Sequence, residues 1–143
     1  MNDDENQVMG THWLSHINSS YVRGALDCGA KPTVSVTKDS SLNVGYRVRL
    51  EVKLRHRFME ILQAIQRVLL QHDGIESTVK EEESSTRPYP ILVIRGVENL
   101  DKLLDFNTFP WGYSFGYCLE VVKSGDHLTQ SGLDEILREK GML

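Results

Sequence analysis

The side chains that could do chemistry in this 143-residue chain fall into three groups. His12 and His16 stand at i, i+4, which turns two imidazoles to one helix face and is a spacing that can hold a metal ion. No HExxH pattern occurs and no acidic third ligand lies nearby in sequence, so a solvated pair near a helix start accounts for them better. Cys28 and Cys118 are the two cysteines, with no CxxC and no Cys/His pairing at zinc spacing; both read as buried thiols rather than a disulfide or metal framework. The third group is a ladder: hydroxyls at Thr33, Ser35 and Thr37, then Arg47, Arg49, Glu51 and Lys53 at every second residue. Such alternation gathers hydrogen-bond donors and charge on one strand face, and it is also what any half-buried sheet shows toward water. No Ser, Cys and His combine into a nucleophile motif, and no glycine-rich stretch carries the lysine of a phosphate loop.

Composition narrows the classes further. Hydrophobic residues make up 40% and charged residues 25%, near the globular average and far from a disordered chain. The formal net charge of −4 rules out a uniformly basic coat, so any nucleic-acid contact must come from local charge. No apolar run approaches a membrane span, and the polar, acidic start Asn2-Asp3-Asp4-Glu5-Asn6 is the reverse of a secretory signal. The expectation is a cytoplasmic protein with no membrane partner, made of a loose tail over 1–10 and one domain over 11–143.

The elements that must position these groups alternate in period. Trp13, Ile17, Tyr21 and Gly24 recur at helical spacing from about Thr11, and Gly29 and Pro32 end that helix. Ser20, Gly24 and Cys28 form a stripe of small residues on it, which would let a second helix approach. A strand follows from Thr33 to Lys38, then a polar turn through Gly45. Tyr46, Val48, Leu50, Val52 and Leu54 give the core face of a second strand, and Arg47, Arg49, Glu51 and Lys53 its wet face. Phe58, Ile61, Leu62, Ile65, Val68 and Leu69 mark an amphipathic helix capped at Gly74. Residues 75–83 and 89–95 read as a second hairpin. Helices follow on Val97, Leu100, Leu103 and Leu104, on Phe115, Leu119 and Val122, and on Leu133, Ile136 and Leu137, the last capped by Ser131 and closed by Lys140 and Gly141. Phe109, Trp111, Tyr113, Phe115 and Tyr117 read as core aromatics.

Residues 22–30, Val22-Arg23-Gly24-Ala25-Leu26-Asp27-Cys28-Gly29-Ala30, resemble the nine-residue motif of the LAGLIDADG homing endonucleases. Gly24 and Asp27 match its third and sixth positions, and Cys28 is small where the family has Ala or Gly. The eighth position, which carries the metal-binding carboxylate in that family, is Gly29. Near the other end, residues 127–136, His127-Leu128-Thr129-Gln130-Ser131-Gly132-Leu133-Asp134-Glu135-Ile136, resemble the family's H-L-T-x-x-G-L-x-x-I stretch. The resemblance implies an α+β fold of αββαββα order, spanning about Trp13 to Leu143, whose two antiparallel hairpins form a saddle-shaped sheet for the major groove.

A single motif copy implies a homodimer that pairs through Ser20, Gly24, Asp27 and Cys28, and the same stripe read without the resemblance is a helix contact within one chain. Double-stranded DNA would meet Thr33, Ser35, Thr37, Arg47, Arg49 and Lys53, with Lys38, Arg55 and Arg57 toward phosphates. Glu81-Glu82-Glu83 would repel a duplex and belongs at its rim or on a surface that has left DNA. No metal and no catalytic residue are expected, because Gly29 cannot bind magnesium and Phe109-Pro110-Trp111-Gly112 offers no basic residue beside the phosphate. The reading is thus a DNA-binding homodimer with a degenerate nuclease centre, in a regulatory or splicing-type role. An active magnesium-dependent endonuclease using Asp27, and an α+β interaction module without a nucleic-acid role, are the alternatives.

Overall fold

A single side chain decides where the first helix begins. The Asn18 carboxamide oxygen accepts the Tyr21 N–H at 2.9 Å, so helix α1 runs Ser19–Gly29. His12–His16 forms a separate 3-10 turn. The helix start expected near Thr11 is therefore corrected to Ser19, and α1 buries Val22 and Leu26 while Tyr21 and Gly24 are exposed. The structure, a computed structural model, describes residues 12–81, 89–106 and 112–141.

From there the order follows the sequence pattern. Strands β1 (Lys31–Lys38) and β2 (Tyr46–Arg55) precede α2 (Met59–Asp73), which ends on Gly74 in the left-handed region at φ 66°, the expected cap. Strands β3 (Thr78–Glu81) and β4 (Pro90–Arg95) are followed by α3 (Val97–Phe106), α4 (Gly112–Ser124), a 3-10 turn at Asp126–Leu128 and α5 (Gln130–Glu139). Among the described residues this is an α+β fold of five α-helices and a four-stranded antiparallel sheet in the order β1-β2-β4-β3. Pro32 lies inside β1 rather than before it, and β1 is an edge strand, where a missing N–H is tolerated.

The chain divides into two compact units. One takes the residues up to Ala30 and Leu54–Val93. In it α1 packs on α2, and Val22, Leu26, Ile61, Leu62, Ile65 and Leu69 are buried. Phe58, expected in that core, instead precedes the first turn of α2 and is half exposed.

The other unit takes Lys31–Lys53 and Ile94 onward, with α4 packed on α3, α5 and β1. On α4 Phe115 and Leu119 are buried as expected, with Cys118 and Val121 beside them; Val122 sits half-buried, and Tyr117, expected in the core, is exposed. Phe109 and Trp111, and the Tyr113 side chain, lie outside the described residues, as do the 1–10 tail, Glu82 and Glu83.

The final helix is capped by Thr129, not Ser131. The Thr129 hydroxyl accepts the Gly132 N–H at 3.1 Å and donates to the Asp126 carbonyl at 2.6 Å, which folds the 3-10 turn back against the first turn of α5. Gly132 is buried in that fold-back, and a Cβ on it would stand 1.9 Å from the Asp126 carbonyl oxygen. Backbone cannot yield as a flexible side chain does, so Gly132→Ala should lose about 3 kcal/mol of stability, read as a lower urea midpoint at unchanged slope.

Candidate nucleic-acid interface

The polar ladder is built by the register of one hairpin. Antiparallel pairing sets Lys31 opposite Lys53, Thr33 opposite Glu51, Ser35 opposite Arg49 and Thr37 opposite Arg47. Directly opposed side chains share a face, so hydroxyls and cations interleave on one side of β1 and β2 as expected. Thr37, Arg47 and Arg49 are exposed, and Thr33, Ser35 and Lys53 are half-buried. Arg55, the last residue of β2, keeps the same parity and is half-buried.

Lys38 does not join them. It pairs with Tyr46, one step out of phase with Thr37 and Arg47, and so projects toward the opposite face of the hairpin. The sequence grouped it with the phosphate-holding cations by charge; parity removes it. Arg57 lies beyond the strand, with its guanidinium carbon 5.9 Å from the centre of the exposed Phe58 ring.

Two carboxylates whose pairing the sequence did not reveal organise the arginines. Asp39 receives Arg47 through Nε and Nη2, each at 2.8 Å. It also accepts the Ser41 hydroxyl at 2.5 Å and the Ser41 N–H at 3.0 Å. The Ser41 hydroxyl, then its backbone N–H and the Arg47 guanidinium, hold the Asp39 carboxyl below the usual carboxylate range. The Asp-x-Ser spacing at the start of the turn is a signal that could have revealed this site.

Glu51 is the larger departure. Expected on the wet face, it is 6% exposed and is the one buried charged residue among the described residues. Its carboxylate accepts the Arg95 Nε–H at 2.6 Å, which supplies the opposite charge a buried acid needs. No spacing pairs residues 51 and 95 in the sequence; only the sheet does.

The motif helix presents a different surface. Ser20, Gly24, Asp27 and Cys28 are all exposed on α1, and space around Gly24 is open to 4 Å. Cys28 is therefore not the buried thiol expected; Cys118 is, and burial pushes its thiol pKa up. Gly29 closes the helix, and a Cβ there would come within 3.1 Å of Leu54 Cδ1, a buried side chain. Gly29 offers no carboxylate, and among the described residues no three His, Cys, Asp or Glu side chains group to hold a metal ion. At Gly29 the chain has no side-chain oxygen to offer a magnesium ion. His16 is exposed, as is Glu81.

The fold has counterparts among solved structures. The homing endonuclease I-TnaI matches with a TM-score of 0.67 and 23% identity over 84% of this chain and 83% of its own. This is the LAGLIDADG homing-endonuclease fold. An archaeal intron-encoded homing endonuclease, I-Vdi141I, complexed with DNA, shares it at a TM-score of 0.68 and 20% identity over 84% and 77% of the two chains. I-SmaMI bound to cleaved DNA shares it at a TM-score of 0.70 and 22% identity, with 83% of this chain covering 41% of that larger one. No family model and no curated protein matches the sequence, so the LAGLIDADG likeness is carried by structure.

The Asp39 arrangement is measurable by itself. A depressed folded-state pKa contributes stability that is present above the unfolded value of about 3.9 and is lost as pH falls through the folded one. A carboxyl-detected NMR titration should place the Asp39 midpoint below the ordinary aspartate value of about 3.9. Ser41→Ala, which removes the leading cause, should bring that midpoint back up toward it.

Proposed function

We propose that this protein binds double-stranded DNA as a homodimer and does not cut it. The observation that carries the reading is the face of β1 and β2, where Ser35 opposes Arg49 and Thr37 opposes Arg47, on a fold shared with proteins solved in complex with DNA. A two-stranded ribbon fits the major groove, hydroxyls and guanidinium groups address base edges, and Lys53 and Arg55 add charge for phosphates. Such a protein holds a site, as a regulator or splicing-type assistant would.

Pairing through α1 rests on what that helix leaves uncovered. Gly in a helix costs about 1 kcal/mol against Ala, and inside the protomer Gly24 touches nothing that would account for it. A second copy approaching beside Gly24, with Ser20, Asp27 and Cys28 around it, gives the glycine a reason. An isologous contact would also double the ribbon into two half-sites. Gly24→Leu is accommodated by the isolated protomer, so it should leave a folded protein that sediments as a monomer where the parent sediments as a dimer. A monomeric parent at tens of micromolar would end the homodimer reading.

Absence of cleavage follows from the end of the same helix. A hard divalent ion against a phosphate needs carboxylate oxygens, and Gly29 leaves each protomer one short. Asp27 is two residues earlier, about 200° around the helix, and does not stand in for it. A gel shift against duplex pools with and without magnesium tests both halves. Retarded, uncut duplex is expected in either condition, whereas specific cutting abolished by Asp27→Asn would establish the altered-acid nuclease instead.

The ladder makes a second prediction in the same assay. Replacing Arg47, Arg49 and Lys53 together by Ala should weaken binding and reduce the salt slope by about one for each phosphate no longer neutralised. Unchanged affinity and slope would favour a protein-interaction module.

A further inference from the structure

We propose that buried Glu51 is a positioning residue that fixes Arg95 as a base-reading arginine, specific for guanine, on the ladder face. The inference rests on the DNA-binding reading above and names a residue that reading does not contain. Glu51 alternates with Arg49 and Lys53 along β2, so a side chain that reaches its carboxylate at 2.6 Å lies on their face of the strand. Arg95 is that side chain, and it remains about half exposed, at 52%, while the acid beneath it is buried.

Stability does not explain the pair. Burying a charge beneath a sheet face costs desolvation that its partner commonly only returns, and an apolar side chain of similar volume would serve packing as well. What the pair supplies is direction. The Nε–H is spent on Glu51, which fixes the guanidinium plane and leaves its terminal N–H groups at the exposed end of the side chain.

Both backbones are anchored as well. The Thr33 hydroxyl donates to the Glu51 carbonyl at 3.3 Å, and the Asn99 carboxamide donates to the Arg95 carbonyl at 2.9 Å, just before Gly96 turns the chain at φ 91°. A guanidinium held in this way presents two parallel donors, which match O6 and N7 of guanine in the major groove and no other base as well. Holding it in advance removes the rotamer entropy that a free arginine loses on binding.

The test is selection from a randomised duplex pool with full-length protein, followed by affinity for the selected site and its single-base variants at several salt concentrations. The parent should enrich a site with one guanine in each half whose replacement costs about tenfold or more in affinity. Arg95→Gln removes the guanidinium fork, so it should erase that preference with the salt slope unchanged, since the contact goes to a base and not to a phosphate. Glu51→Leu should erase it too, with a melting temperature equal to or above the parent's, a combination that a merely structural ion pair would not give.

A salt slope reduced by about one in Arg95→Gln would show Arg95 on a phosphate instead, and retention of the guanine preference in that variant would overturn the proposal. So would a Glu51→Leu protein that folds and selects the parental site. If Glu51→Leu fails to fold, the exposed Arg95 variant decides alone. A parent that binds no duplex at all would sink the DNA reading and this inference together, which is separable from a parent that binds selectively without help from Arg95.

Discussion

The register of the β1–β2 hairpin is the constraint on which the rest depends. Because side chains alternate with a period of two, the single pairing of Thr33 with Glu51 decides the side on which every other residue from Lys31 to Arg55 falls. A slip by one residue would send Leu50 and Val52, both buried, into water and drive Arg47 and Arg49 into the core. Burial of those two side chains, at about 1.5 to 3 kcal/mol each, is therefore what holds the polar ladder in place. The polar face is a by-product of the core in this sense: its geometry is fixed by the residues on the opposite side of the hairpin.

Three glycines show how differently one residue type is used along the same chain. Gly132 is demanded by a close approach, since the Asp126 carbonyl occupies the space of a Cβ. Gly29 is demanded weakly, because the atom it faces is the tip of Leu54, which can give by a few tenths of an ångström. Gly24 is not demanded by the protomer at all. The first explains the glycine of the H-L-T-x-x-G-L stretch as a piece of turn geometry rather than chemistry, and the last points outward from the chain.

Much of the fold was legible because its signals are local. The period of two in β2, the left-handed cap at Gly74 and the order of elements needed only neighbouring residues. What could not be read is which of several equivalent local caps the chain uses, and what distant residues decide. Asn18 looked like one polar residue in a helical run until its carboxamide met the Tyr21 N–H, which moved the helix start from Thr11 to Ser19. Ser131 and Thr129 are equal as caps by residue type, and only the turn at Asp126 selects Thr129. At the candidate site the ladder was visible and the pairing of its acids was not. The sequence puts Glu51 among solvated charges; β4, more than forty residues away, delivers the arginine that lets it be buried.

Those acids alter what the net charge of −4 means. A surplus of carboxylates spread over the surface would repel a polyanion at every approach. Asp39 and Glu51 do something else, since each is consumed in fixing an arginine next to the ladder. The cost is charge: a paired Arg47 or Arg95 attracts a phosphate less than a free one would. The gain is geometry, because a guanidinium with its plane already set loses less freedom when it meets a base edge. A surface made this way gives up salt-sensitive attraction for polyanions and keeps a fixed geometry of donors.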